Sequence, residues 1–520
     1  MIDMLHITDI DKIKDTAAHI LIESGKLPDT QYVDVRLEAT EGVGAYVEDS
    51  NPRQTSKDWY VSMGVRVIGG SRFAANGFYG RQLGIIDFQN FTQVLQEAIT
   101  IARTRALENA KQKEVFINNY KDFSKTLSAL TLAPININQA TIEAEFAIDP
   151  RNVSPKQITD YAMQCAIQAK NYHSFVKRVE VVLNSSITRQ LFVSSEGTCI
   201  DQSYCSSGGT IFLVSVNDSG EVIDLYHHTG NQLGFEALTE GKNSHEQTFE
   251  QFSRHIADET VQLCNAKPAP ATDKAVTVVL DPDLVALFAH EIIGHPSELD
   301  RALKMETGYA GRSWFFKDLQ DNMVGKQVGS KLLTAFSDPT LKGGYGHYAF
   351  DDEGTQAKRV YHIKDGIYHD FMNSRQTAVT IGKEPNGHYK ANDASVVPLI
   401  RMSQSAIAPG KTDPKKIISE VTNGYYAVGH RIPSISESRE NFQIAPRLIY
   451  EIKNGQVGQV YRNGRITADS KDFFMSIDAL GNDFNIFPIP NCGKGQPMQA
   501  KQVGNGGPTA RARARIAKGN

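Results

Sequence analysis

The sequence predicts an α+β protein, with an N-terminal unit of mixed helices and strands over residues 1–266 and a strand-rich C-terminal unit over residues 274–520. Three observations carry that reading. A chain of 520 residues exceeds what one hydrophobic core ordinarily organises. Helical and period-two apolar patterns alternate through the first half, whereas the second half is dominated by strand-like runs and hairpin turns. Between the two, Lys267-Pro-Ala-Pro-Ala-Thr-Asp273 has the composition of a linker.

Taken in order, Ile13, Ala17, Ile20 and Leu21 recur at helical spacing and Gly25 offers a stop. Val33, Val35 and Leu37 alternate with Asp34, Arg36 and Glu38, the pattern of a half-buried strand, and Val61, Met63, Val65 and Val67 repeat the period. Phe91, Val94, Leu95, Ala98, Ile101 and Ala102 mark a long amphipathic helix. Ser154-Pro155 is a cap followed by a first-turn proline. From Val176 to Ile223 successive strands are expected, then a helical region near Phe235–Cys264. Asp365-Gly366, Asn454-Gly455 and Asn463-Gly464 read as hairpin turns. Ala510 to Ile516 alternates Arg with Ala, which fits a terminal strand with one charged face better than a nucleic-acid tail.

The bulk numbers narrow the function classes. A formal charge of -4 and a pI near 6.4 give no electrostatic reason to expect a nucleic-acid partner. Met1 to Asp11 lacks the basic and apolar regions of a secretory signal, and no apolar run is long enough to span a membrane. Five scattered cysteines do not form a disulfide pattern, so a cytoplasmic location is expected.

The chemistry concentrates in one segment. Ala275 to Leu280 reads as a strand, Asp281-Pro282 caps a helix, and Leu284, Val285, Leu287, Phe288, Ala289, Ile292 and Ile293 make that helix apolar almost all round, hence buried. It nevertheless carries Glu291 between His290 and His295. Buried groups of that kind need a compensating charge, which a divalent cation supplies. The histidines are five residues apart, about 140° out of phase on an α-helix, so they converge only if the helix opens into a π-type turn or ends near Gly294. Pro296 blocks regular continuation. Cys492, in the loop Pro490-Asn-Cys-Gly-Lys-Gly-Gln496, is the candidate third ligand; Glu298 and Asp300 are candidates as ligands or as acceptors that orient a histidine.

The segment His290-Glu-Ile-Ile-Gly-His-Pro-Ser-Glu-Leu-Asp300 resembles the H-E-x-x-x-H-x-x-E-x-D signature of the TldD/PmbA metallopeptidases, also called modulators of DNA gyrase. Phe350-Asp-Asp-Glu-Gly354, Asn423-Gly-Tyr-Tyr-Ala-Val-Gly429, Asn491-Cys-Gly-Lys-Gly-Gln496 and Gly507-Pro-Thr-Ala-Arg511 are similar to further blocks of that family, in the same order. The chain departs from it at Pro296 and at His430-Arg-Ile-Pro-Ser434. The resemblance implies zinc held by His290, His295 and Cys492, Glu291 as the catalytic acid and base, and peptides or unfolded segments as substrates. It also implies a homodimer, or a heterodimer with a related subunit lacking the metal motif, that encloses the active sites. His227, His228, His347, His369 and His430 are open candidates for a second oxyanion donor. Gly343 to Phe350 is expected to offer an open edge to an extended peptide. The competing readings are a non-hydrolytic or gyrase-associated subunit with structural zinc, and a redox protein using Cys492, which the lack of a C-x-x-C motif disfavours.

Overall fold

The computed structural model describes residues 7–119, 131–309, 311–431 and 433–518. The first six residues, part of the leader reading, and Ile432, within the His430–Ser434 departure, lie outside them. The fold is α+β, as expected. A seven-stranded sheet holds the first half, in the order Ala75–Leu83, Asn51–Gly69, Thr30–Glu48, Val176–Ser194, Cys199–Val216. Gln139–Ile142 and Val222–Asn231 both pair with Cys199–Val216. Helices Asp11–Ser24 and Phe91–Asn119 cover one part of it, and Pro155–Lys170 and Phe249–Asn265 another. Ser154 caps its helix as anticipated, its hydroxyl accepting from Gln157 N.

Two expectations about this half are corrected. The strand Thr30–Glu48 is not half-buried: Asp34, Arg36 and Glu38 are as buried as the valines between them. Their face is covered by the C-terminal half, and paired charges make that burial tolerable. Arg66 joins Asp34 to Glu353, and Arg36 joins Asp352. The block Phe350–Gly354 is thus a clamp between the halves. Second, Ile101 of the long helix is exposed and Ile99 is buried in its place, because Ala102 and Ala106 set the contact stripe.

The second half contributes a ten-stranded and a six-stranded sheet around one core. Lys267–Pro268 pairs with Tyr461–Arg462, and Ala269 N donates to Arg462 O, so the proposed linker is docked along a sheet edge. Asp365-Gly366 and Asn454-Gly455 form tight turns with both residues at positive φ, joining paired strands. Asn463-Gly464 does not: only Asn463 is left-handed, and the strands it joins, Gln456–Arg462 and Gly464–Asp469, pair with different neighbours. The strand Ala510–Lys518 alternates buried alanines with outward arginines and pairs with Val276–Leu280. That latter strand leads straight into the candidate site.

Candidate metal centre

Asp281 accepts from Leu284 N and opens the helix Pro282–Phe288, with Pro282 in the first turn. At Ala289 the helix widens into a π-turn that runs to Gly294, and a 3₁₀ turn over His295–Ser297 follows. The His295 N–H reaches back to the His290 carbonyl, an i to i+5 bond that brings the two side chains onto one side. Their rings lie 4.7 Å apart between centroids and nearly perpendicular, at 85°. Cys492 arrives from the strand Asn485–Lys494, at the bulge after Ile489, and the donor atoms of His290, His295 and Cys492 all fall within 4.8 Å of one another.

Each histidine is aimed by a second contact. His290 Nδ1 donates to Asn505 Oδ1 at 2.8 Å, leaving Nε2 as the lone-pair nitrogen. His295 Nδ1 lies 3.1 Å from Glu298 Oε2, and its Nε2 lies 3.5 Å from Cys492 Sγ. Glu298 is therefore placed as an orienting acceptor, not beside the three donors. Burial disfavours its charge, but Lys494, His295 and Arg301 outweigh burial and hold the carboxyl well below its usual range. Asp300 is one layer further out, accepting from Lys494 Nζ at 2.7 Å and Arg301 N at 2.9 Å. Burial would raise the Cys492 thiol, yet the surrounding His295, His290 and Arg401 charges bring it well below its ordinary value. His290 is raised to about 9: burial opposes its charge, and the neighbouring sulfur more than compensates. Thiolate and imidazolium thus balance each other, and a divalent cation would take the proton's place.

Glu291 stands apart. Its side chain is 16% exposed, it makes no hydrogen bond among the described residues, and its nearest charged partner is Arg439, 3.8 Å away. Burial raises its carboxyl, but His290, His295 and Arg439 outweigh that and lower it. It lines, with the three donors, a cavity of about 350 Å³. His227, His228 and His430 line the same cavity, whereas His347 lines a different one. Asp283 bridges His227 and His430, at 3.5 Å to each, and Arg447 at 2.9 Å.

Several contributors were missed from sequence. Asn505 meets the candidate donor His290, and Lys494 and Arg301 hold Glu298 behind His295; the only signal was their setting: Asn505 lies among glycines, and Lys494 follows Cys492 in a motif. Arg439 is buried at φ 63, a strained conformation that no local pattern announced. The stretch Gly343–Phe350 is not an open edge. Gly344 O accepts from Gln232 N, Tyr345 N donates to Val503 O, and Tyr348 N donates to Pro339 O, so its backbone is engaged within the chain.

Residues 272–517 match the model of the PmbA/TldA metallopeptidase C-terminal domain, and residues 148–263 match that of the central domain. A metalloprotease of Methanocaldococcus jannaschii is 25% identical over 488 residues, covering 93% of this chain and 96% of its own. A zinc metalloprotease TldD homologue of Saccharolobus solfataricus is 25% identical over 348 residues, 66% of this chain and 72% of its own. Among solved structures, TldE from Thermococcus kodakarensis shares the fold, with a TM-score of 0.67 and 15% identity over 96% of this chain and 99% of its own.

Proposed function

The chain belongs to the PmbA/TldD family of metallopeptidases, and from that premise we propose that it is a zinc peptidase cutting flexible or unfolded peptides, with Glu291 as its acid and base. One observation carries the reading: three soft donors converge within 4.8 Å, while an unbonded carboxylate from the same helical turn faces the same cavity. Two imidazole nitrogens and a thiolate are a donor set that suits zinc, leaving a fourth position for water or substrate. Bound there, zinc would supply Lewis acidity, lowering the pKa of water toward about 7 and polarising a carbonyl.

The chain's own groups do the rest. His290 and His295 present their Nε2 atoms because Asn505 and Glu298 hold the opposite nitrogens. Glu291, with no hydrogen bond to give up, takes a proton from the attacking water and passes it to the leaving nitrogen. His290, His295 and Arg439 beside it favour the ionised carboxylate from which the first transfer starts and to which the second returns it. A purely structural metal would need neither the unbonded Glu291 nor the cavity in front of it. We further propose a dimeric assembly, with a second copy or a related subunit lacking the metal motif, that closes over this cavity. The decisive experiment is metal analysis of the purified chain with peptide digestion before and after chelation. Stoichiometric zinc and chelator-sensitive cleavage are expected; cleavage indifferent to chelation would overturn the reading.

A further inference from the structure

A second cavity, of about 220 Å³, lies between the first sheet and the hairpin Asn485–Gly507. Its walls include Glu38, Thr40, Tyr60 and Tyr204 from the sheet and Lys501 from the hairpin. Most charge around it is already matched. Lys390 gives its ammonium to Asp352 at 2.5 Å and to Gln190 at 2.9 Å, and Asp352 also receives Arg36.

Two groups are left over. The half-buried Lys501 side chain makes no hydrogen bond or ion pair among the described residues. Glu38 is 4% exposed; its Oε2 accepts from Gln190, and its Oε1 accepts nothing from the described residues. A cation and an anion, each with unused valence, face one walled space lined with hydroxyls. The two charges attract each other only across the space, with no bond between them, and a ligand carrying the complementary pair would give each a direct partner. Consistently, burial pushes the Glu38 carboxyl up to about 7.

We propose that this cavity binds a zwitterionic α-amino acid, free or as a dipeptide, with Lys501 receiving the carboxylate and Glu38 the ammonium. The volume suits that class. It exceeds the roughly 150 Å³ apolar cavity that holds benzene and falls below the range of about 300–1,000 Å³ typical of drug-sized ligands. An adjoining cavity of about 300 Å³ shares Tyr204, Gln232, His347 and Tyr348 with it, leaving room for a side chain or a second residue. Lys501 faces Cys492 across the hairpin, so the ligand rests on the strand pair that carries the sulfur, yet the site uses none of the metal donors. It stands independently of the peptidase reading.

Calorimetric titration of the full-length chain with the common L-amino acids, N-acetyl-L-leucine and L-leucinamide tests it, with glycyl-leucine added to the Glu291→Gln chain. At least one free amino acid or the dipeptide should saturate a single site, and which of the two binds tighter identifies the source. Blocking either terminus should weaken binding roughly tenfold or more, the loss expected when a charged partner goes unmatched. Lys501→Met should abolish discrimination against the amide and Glu38→Gln discrimination against the acetyl compound, in variants whose melting curves show a native fold. If a variant does not fold, the blocked ligands on the unmodified chain still decide. Binding should also persist in Cys492→Ala. No saturable binding at millimolar ligand, equal affinity for blocked ligands, or loss of binding in Cys492→Ala would overturn the proposal.

Discussion

At the residue scale the proposed centre divides its labour between groups that hold and a group that reacts. Glu291→Gln preserves size and leaves all three donors, so zinc content should stay near wild type while turnover falls by about 10²–10⁴; near-normal cleavage would remove Glu291 from the reaction. Cys492→Ala should instead lower zinc occupancy at limiting metal, and unchanged occupancy would assign the third ligand elsewhere. Glu298→Gln weakens the acceptor behind His295, and a loss of about 10–100-fold in metal affinity is expected by competition with a chelating dye. The two histidines and Glu291 were legible as candidates from their spacing on an apolar helix, whereas Cys492 gained its weight from the family resemblance. Their supports were not. Asn505 lies 215 residues from His290 and Lys494 lies 194 from Asp300, and no local pattern reports a contact that only the folded chain creates.

At the element scale the π-turn is the feature that the sequence specified most sharply. Histidines five apart on a buried helix leave few geometries in which both can face one ion, and the widened turn from Ala289 to Gly294 is one of them. Gly294 matters for a reason invisible in sequence: a Cβ there would overlap the Met402 sulfur packed behind the turn. Gly294→Ala should therefore cost about 1–3 kcal/mol in denaturant unfolding, and less when made in a Met402→Ala background and compared with Met402→Ala alone. An undiminished cost in that background would mean that the methyl meets something other than the sulfur. Elsewhere, local periodicity located helices and strands but not their surroundings. Asp34, Arg36 and Glu38 look solvent-facing by alternation, and only the second half of the chain, folding over them, makes that face interior.

At the scale of the whole molecule the two halves are joined by buried charge. Glu259, on a helix of the first half, receives Arg447 of the second at 2.9 Å, and Arg447 also meets Asp283. Burial opposes the Glu259 charge, but Arg447 and His255 outweigh it and draw the carboxyl from 4.5 down to about 2. A lowered folded-state pKa contributes stability that is complete above pH 4.5 and disappears as pH falls through about 2. Glu259→Gln should thus be less stable than wild type at neutral pH, with the gap closing between those limits. Urea midpoints across the range measure it, and a gap that stays constant would show that Glu259 is not the titrating group. The same scale governs substrate form. A stable domain should resist cleavage while a destabilised variant of nearly the same sequence is cut, because global unfolding costs on the order of 5–15 kcal/mol. Equal rates with the native fold verified would sink that expectation.

The proposed ligands come from distant stretches of chain, and this imposes an order on biosynthesis. His290 and His295 leave the ribosome long before Cys492. The strand that launches their helix, Val276–Leu280, finds its partner Ala510–Lys518 only after the stretch containing Cys492 has been made. Chains grow from the N-terminus at about 5–20 residues per second, and domains fold as they emerge. The seven-stranded sheet can therefore assemble early, while the third donor and the strand that anchors the helix are still unmade. A nascent chain that has not reached Cys492 in this way lacks one of the three proposed donors. Under the proposed function, hydrolytic competence would arrive only once Cys492 has been made and docked, so the growing chain would pass through most of its exposed, unfolded stage without it.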